Sequence, residues 1–287
     1  MQICTQCPRK CRCDRINTFG FCGQGEKVKV AKVMLHFGEE PCISTKKGCG
    51  AVFFAGCNLR CPFCQNFKIS QSDSDIGEEY STAELADLFK KVQDMGAENI
   101  SLITPTHFSH SIAKALEIAH IEIPVIYNCG GYESLESLKM LDGLIQIYMP
   151  DMKYLYPESA VRYCAAADYP QIAKSAILEM HRQTKEMVFD GEALKKGLIV
   201  RHLVLPGIYR ESIEIMRWLS ENLDKDSFYI SLMSQYVPCH RAADFPEINR
   251  KIFTAEYEKV VKAATDFGLA GYIQQRSAAT LEMTPEF

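Results

Sequence analysis

From residue 51 onward the chain alternates short, almost continuously apolar runs with amphipathic stretches of helical period. The apolar runs cover residues 51–55, 99–103, 124–128, 144–150, 197–205 and 227–233 and are rich in Val, Ile, Tyr and Phe. Runs of that length with little alternation are the pattern of parallel strands covered on both faces. Ser81-Thr82-Ala83-Glu84 reads as a capping box, and Leu85, Leu88, Phe89 and Val92 follow it at helical spacing. Further helices are predicted over 109–120, 133–141, 169–187, 210–223 and 254–267. Six strand–helix units joined by short connections predict an α/β fold, a parallel (β/α)6 sheet curled into a partial barrel. Residues 1–50 do not follow the alternation and are read as a cysteine-rich N-terminal segment ahead of a barrel over 51–287. In parallel barrels function sits at the C-terminal strand ends, so the residues just after each apolar run are the candidates for chemistry.

After the first run comes Cys57-Asn58-Leu59-Arg60-Cys61-Pro62-Phe63-Cys64, behind Gly56. Three thiolates at this spacing can hold three irons of a 4Fe–4S cube. With no fourth cysteine in reach of so tight a loop, one iron stays open, whereas electron-transfer clusters are closed by four cysteines. A structural zinc site is the rival reading, but zinc favours paired C-x2-C knuckles set well apart. The C-x3-C-x2-C spacing, with the aromatic Phe63 before the last cysteine, resembles the cluster loop of the radical S-adenosylmethionine (SAM) superfamily. That resemblance implies a radical SAM partial barrel, with SAM and a 4Fe–4S cluster held by Cys57, Cys61 and Cys64.

The other strand ends offer polar groups for such a ligand. Thr104-Pro105-Thr106-His107 can receive the SAM amino group through Thr104 or Thr106, or can simply cap the next helix. Asn128-Cys129-Gly130-Gly131 permits close backbone approach. Asp151 and Lys153, two residues apart at a strand end, point the same way and can fix a carboxylate and an amino group, or pair as a structural salt bridge. Arg201, inside an apolar strand, needs a partner, and a bound carboxylate or ribose would serve. Ser234 to His240 adds polar groups at the barrel mouth.

Composition narrows the class. A formal net charge of −4 gives no argument for nucleic acid or membrane, and no apolar stretch is long enough to cross a bilayer. Thirteen cysteines without an apolar leader ahead of Cys4 and Cys7 point to a reducing, cytoplasmic setting in which thiols serve metals. Cys4, Cys7, Cys11 and Cys22, with Cys13 as an extra thiol, have the count for zinc or a second iron–sulfur cluster, or are loosely packed reduced thiols. Residues 1–32 carry an excess of five positive charges, read as a solvated basic edge in preference to an acidic-partner surface. Cys42, Cys49, Cys129 and Cys164 read as small hydrophobes.

The cluster loop, Asp151-Met152-Lys153 and the Arg201-to-Gly207 strand also resemble the radical SAM activating enzymes related to pyruvate formate-lyase activating enzyme. A branch of that group is similar over nearly the whole chain, through Cys7-Pro8-Arg9-Lys10-Cys11, His36-Phe37-Gly38-Glu39-Glu40-Pro41, residues 53–61, Thr104-Pro105-Thr106-His107 and residues 231–236. The resemblance implies SAM contacts from Asp151, Lys153 and His240, a protein or peptide substrate, and an outside reductant such as flavodoxin or ferredoxin. The sequence departs from the group where Thr104-Pro105-Thr106 replaces a Gly-Gly-Glu and where Asn128 stands for an aspartate. The expected activity is an oxidoreductase reaction: reductive SAM cleavage, then hydrogen abstraction. RNA, a cofactor precursor or a small metabolite would fit the same framework. A non-enzymatic electron carrier or metal sensor would need neither an open iron nor polar strand ends.

Overall fold

Each of the six apolar runs becomes a strand of one sheet in the computed structural model, which describes residues 3–71, 75–275 and 287. The strands are β1 Val28–His36, β2 Cys49–Phe54, β3 Glu78–Tyr80, β4 Ile100–Ile103, β5 Val125–Cys129, β6 Ile147–Pro150, β7 Val188–Asp190, β8 Ala193–Leu203, β9 Tyr229–Met233 and β10 Gly271–Ile273. The α-helices are α1 Phe67–Ser70, α2 Thr82–Asp94, α3 Ser109–Ala119, α4 Leu135–Met140, α5 Pro157–Cys164, α6 Tyr169–Thr184, α7 Tyr209–Asn222 and α8 Thr254–Asp266. Strands β2, β4, β5, β6, β8, β9 and β10 pair in parallel in that spatial order. The order ends at β10 on one side and β3 on the other, so the sheet curls without closing.

Period-two geometry sorts the strand residues between two cores. Val52, Phe54, Leu102, Val125, Tyr127, Tyr148, Leu198 and Val200 pack outward among the helices. Phe53, Ile103, Ile126, Ile147, Met149 and Ile199 fill the concave interior. Helix α2 buries Leu85, Ala86, Phe89 and Val92. Its N-terminus is closed by the reciprocal bonds of Ser81 and Glu84, satisfying two otherwise orphaned amides.

The N-terminal residues are not all outside the sheet. Strand β1 pairs antiparallel with β2, His36 opposite Cys49, and β3 adds to β1. The loop 37–48 therefore leaves from the N-terminal end of β2 and plugs the barrel floor. Cys42 and Ile43 join the interior core, the amide of Leu194 donates to the Cys42 carbonyl at 2.9 Å, and Asn99 Nδ2 donates to the Ile43 carbonyl at 2.9 Å. Among the described strands and α-helices, five more lie outside the sequence pattern: β3, the three-residue β10, the β7 hairpin partner of β8, α1 and α5. All are short and owe their form to neighbours, which local periodicity does not register.

Replacing Ile126, fully buried in the interior, with Ala leaves a void beneath the strand ends. A loss of about 2–5 kcal/mol of unfolding free energy is expected in urea titrations; an unchanged midpoint would contradict the interior packing.

Candidate active site

Continued past the interior residues, the same alternation turns polar groups inward: Ile126 leads to Asn128, Met149 to Asp151, and Ile199 to Arg201. These three line a cavity of about 240 Å³ at the C-terminal strand ends together with Lys153, Thr104, Gln235, Cys57, Cys61 and Cys64.

The cysteine loop is held from several sides. Gly56 has φ +81°, and a Cβ there would lie 2.5 Å from the Cys22 carbonyl oxygen, so only glycine admits this approach. Asn58 Nδ2 donates to the Tyr132 carbonyl at 2.7 Å. Arg60 Nη1 donates to the Cys57 and Leu59 carbonyls at 2.9 and 3.0 Å. The amide of Leu59 points at Cys57 Sγ at 3.4 Å, and Cys64 Sγ lies 3.3 Å from Ser70 Oγ. Burial pushes the Cys57 thiol up to about 11 and raises Cys61 and Cys64 as well. A metal ligand must be deprotonated, so binding at these sulfurs releases protons.

Beside the thiols lies an ion network. Arg201 Nη2 donates to Asn128 Oδ1 at 2.7 Å and Nε to Asp151 Oδ1 at 3.2 Å, while Nη1 lies 3.4 Å from Glu39 Oε2. Lys153 Nζ donates to Asp151 Oδ2 at 2.5 Å. Burial alone would raise the Asp151 carboxyl, but the Lys153 and Arg201 charges outweigh it and hold it below its ordinary value. Lys153 is likewise penalised by burial and lifted overall by Asp151 and Cys61. Tyr169 fixes the corner by accepting the Lys153 amide at 2.9 Å, its oxygen 2.9 Å from the Asp151 carbonyl and 3.0 Å from that of Gly130.

Not every expected residue reaches this cavity. His240 stacks on Phe67 with ring centroids 4.9 Å apart and is absent from the cavity wall. Thr106 donates to Glu133 Oε1 at 2.6 Å and is buried behind the wall. Phe63 packs edge-on against Tyr236 at 5.5 Å, beneath the loop it belongs to. Thr104 does line the cavity, in a left-handed conformation of φ 60°, with its amide bonded to the Asn128 carbonyl. Neither threonine caps α3, whose N-cap is Phe108 with no side-chain bond. Asp151 and Lys153 are a salt bridge and cavity wall at once.

Two acids have no counterpart among the expected residues. Glu39 rises on the floor plug to meet Arg201 and Asn128, and burial, opposed by Arg201, raises its carboxyl to about 7. Its signal was the Glu39-Glu40 pair, but that loop enters from the opposite end of the barrel. Glu133 is buried behind the wall, where Thr106 and Tyr127 donate to it at 2.6 and 2.9 Å. Burial raises it to about 7 because those hydrogen bonds offset desolvation only in part. Cys129, read as an inert hydrophobe, bonds Glu133 and reaches the cavity wall.

Among the described residues no group of three or more His, Cys, Asp or Glu stands as a ready shell for a single metal ion. Tetrahedral zinc at Zn–S of about 2.3 Å requires sulfurs only about 3.8 Å apart. A cube gives each thiolate its own iron and spreads the sulfurs more widely. Three half-buried thiols on one cavity, flanked by Lys153, therefore fit a cluster better than zinc.

An open, mostly parallel barrel with a three-cysteine loop after its first parallel strand defines an iron–sulfur radical enzyme class. The profile of the radical SAM superfamily matches residues 51–219, and the chain belongs to that superfamily. It is 31% identical over 274 residues to an uncharacterised protein of Methanocaldococcus jannaschii, covering 93% of this chain and 75% of the relative. A radical SAM methyltransferase from Sphaerobacter thermophilus shares the fold at a TM-score of 0.51 and 11% identity, over 78% of this chain and 65% of that one. Streptococcus suis SuiB bound to S-adenosylmethionine aligns at a TM-score of 0.48 and 15% identity, over 76% of this chain. The chain spans 45% of SuiB, under half its length. Membership implies SAM and a 4Fe–4S cluster as cofactors. No helix among the described residues is long and apolar enough to cross a membrane.

Gly131 has φ +79°, and a Cβ there would lie 2.1 Å from the Asp151 carbonyl oxygen. Gly131→Ala is expected to lower stability by about 1–3 kcal/mol or more, read as a reduced urea midpoint, since backbone strain and the clash act together. Glu133 gives a pH signature. With the folded carboxyl near 7 and the unfolded one at its ordinary value, the native state holds the extra proton between those values, so stability falls as pH rises through that window. Glu133→Gln should make the decline in unfolding free energy from pH 5 to pH 8 shallower; an identical slope would rule the buried carboxyl out as its source.

Proposed function

We propose that this chain is a radical SAM oxidoreductase that abstracts hydrogen from a protein or peptide substrate, in the manner of the activating enzymes it resembles. The observation that carries the reading is the meeting of three half-buried thiols with the Asp151–Lys153–Arg201 network on one cavity at the strand ends. Cys57, Cys61 and Cys64 are the cluster ligands in this assignment. The 4Fe–4S cluster they would hold would, when bound, pass on the reductant's electron for the cleavage of SAM to a 5′-deoxyadenosyl radical.

The chain's own groups provide the setting. Lys153 and Arg201 place two cations beside the thiols and suit the SAM carboxylate, while Asp151 and Thr104 offer oxygens to its amino group. Asn128 orients Arg201, and Glu39 closes the floor below it. The plug at Cys42 and Ile43 shuts the lower end of the barrel against water. The protein or peptide substrate rests on the likeness of the cluster loop and Asp151-Met152-Lys153 to the activating enzymes. The same likeness supplies flavodoxin or ferredoxin as reductant.

Anaerobic reconstitution with iron and sulfide, followed by SAM and dithionite, is expected to release 5′-deoxyadenosine, with Cys61→Ala matching the no-protein blank. Failure of the reconstituted protein to form it would remove the enzymatic reading. Transfer of deuterium from a labelled peptide into 5′-deoxyadenosine identifies the hydrogen donor; transfer from a labelled small metabolite instead would replace the peptide.

A further inference from the structure

Beyond Cys64 the chain turns back on itself and returns a side chain to that cysteine. The amides of Cys64 and Phe67 donate to the carbonyls of Cys61 and Cys64 at 3.2 Å each. Those of Ile69 and Ser70 donate to the Asn66 carbonyl at 3.1 and 3.0 Å. The single turn of α1 that results is held firmly. Ile69 is buried in the interior core, and its carbonyl accepts the Gly56 amide at 2.7 Å. Phe67 stacks on His240. Ser70, 6% exposed, is thereby set against Cys64 on the wall of the cavity.

Ser70 Oγ lies 3.3 Å from Cys64 Sγ, and Gln71 Nε2 donates to the same Oγ at 3.1 Å. A hydroxyl has one hydrogen to give and two lone pairs to receive. Gln71 fills one lone pair, which leaves the hydrogen free to point at the sulfur. A thiolate bound to iron has no proton, so in the loaded protein only Ser70 can be the donor of this pair. The direction Gln71 to Ser70 to Cys64 follows, and the Gln71 amide polarises the hydroxyl it binds.

We propose that Ser70 is a positioning residue that donates a hydrogen bond to the Cys64 thiolate and so sets the potential of the cluster. The inference rests on the assignment of Cys57, Cys61 and Cys64 as its ligands. Reduction brings in one electron from the outside reductant. The core passes from dipositive to monopositive, and its charge together with three thiolates passes from one minus to two minus. A donor at a ligating sulfur stabilises the more negative form and raises the potential. At Cys57 the donor is the Leu59 backbone amide, 3.4 Å from the sulfur, which side-chain substitution leaves in place. At Cys64 it is a hydroxyl, which Ala removes and Thr keeps.

The test is a redox titration of the reconstituted full chain without SAM, followed by the electron paramagnetic resonance signal of the reduced cluster. Its readout is independent of SAM cleavage. Ser70→Ala is expected to lower the midpoint potential, a roughly tenfold loss in the one-electron reduction equilibrium, or about 59 mV. Ser70→Thr should titrate like the wild type. A purely structural role for Ser70 gives the opposite sign, because a loosened loop admits water, and water favours the more highly charged reduced form. Where Ser70→Ala holds no cluster, Gln71→Ala probes the same chain of donors from its outer end and is expected to lower the potential by a smaller step. An unchanged or raised potential in Ser70→Ala, or in Gln71→Ala if it must stand in, overturns the inference, as does a Ser70→Thr protein that titrates like Ser70→Ala. A wild-type chain that assembles no 4Fe–4S cluster overturns the ligand assignment itself, and this inference with it.

Discussion

Charge taken out of water at the barrel mouth must be paired, and that requirement organises the rest of the molecule. Arg201 sits on the interior face of β8 because Ile199, two residues earlier, is interior. Alone there it would be strongly destabilising. Asp151, just past β6, and Asn128, on β5 one strand further, answer it at 3.2 and 2.7 Å, and Lys153 in turn pairs with Asp151 at 2.5 Å. Breaking one member leaves another buried charge uncompensated, so these residues act as a unit rather than as separate contacts.

The unit carries an unequal balance. Lys153 and Arg201 are permanent cations, Asp151 is held ionised by both, and Glu39 is lifted by burial to about 7. A site biased toward positive charge beside three thiols that must lose protons suits a cluster and an amino-acid carboxylate. The same residues that make the pocket polar thus bias it toward anions, while the apolar plug beneath keeps it closed from below.

Residues 1–50 work on this site from two directions. The segment 37–48 enters from the strand N-termini and delivers Glu39 to Arg201. Arg9, Phe21 and Cys22 press on the outside of the 57–64 loop through Asn58, Gly56 and Arg60. Neither contribution follows the strand-end rule for parallel barrels, because neither comes from a strand-to-helix loop.

The sequence by itself determined the six inner parallel strands, the helices α2, α3, α4, α6, α7 and α8, and the loop that carries Cys57, Cys61 and Cys64. Each depends on local period or tight spacing, which a chain cannot hide. Asn128, Asp151, Lys153 and Arg201 were legible for the same reason, since parity along a strand fixes the face a residue takes. Tertiary structure alone decided the roles of His240, Thr106, Glu39 and Glu133. His240 follows a strand but stacks on Phe67, and Thr106 turns to a carboxylate twenty-seven residues away. Glu39 reaches the cavity through the opposite end of the barrel. Such outcomes depend on which distant surface meets an irregular loop, and no periodicity in the chain encodes that meeting.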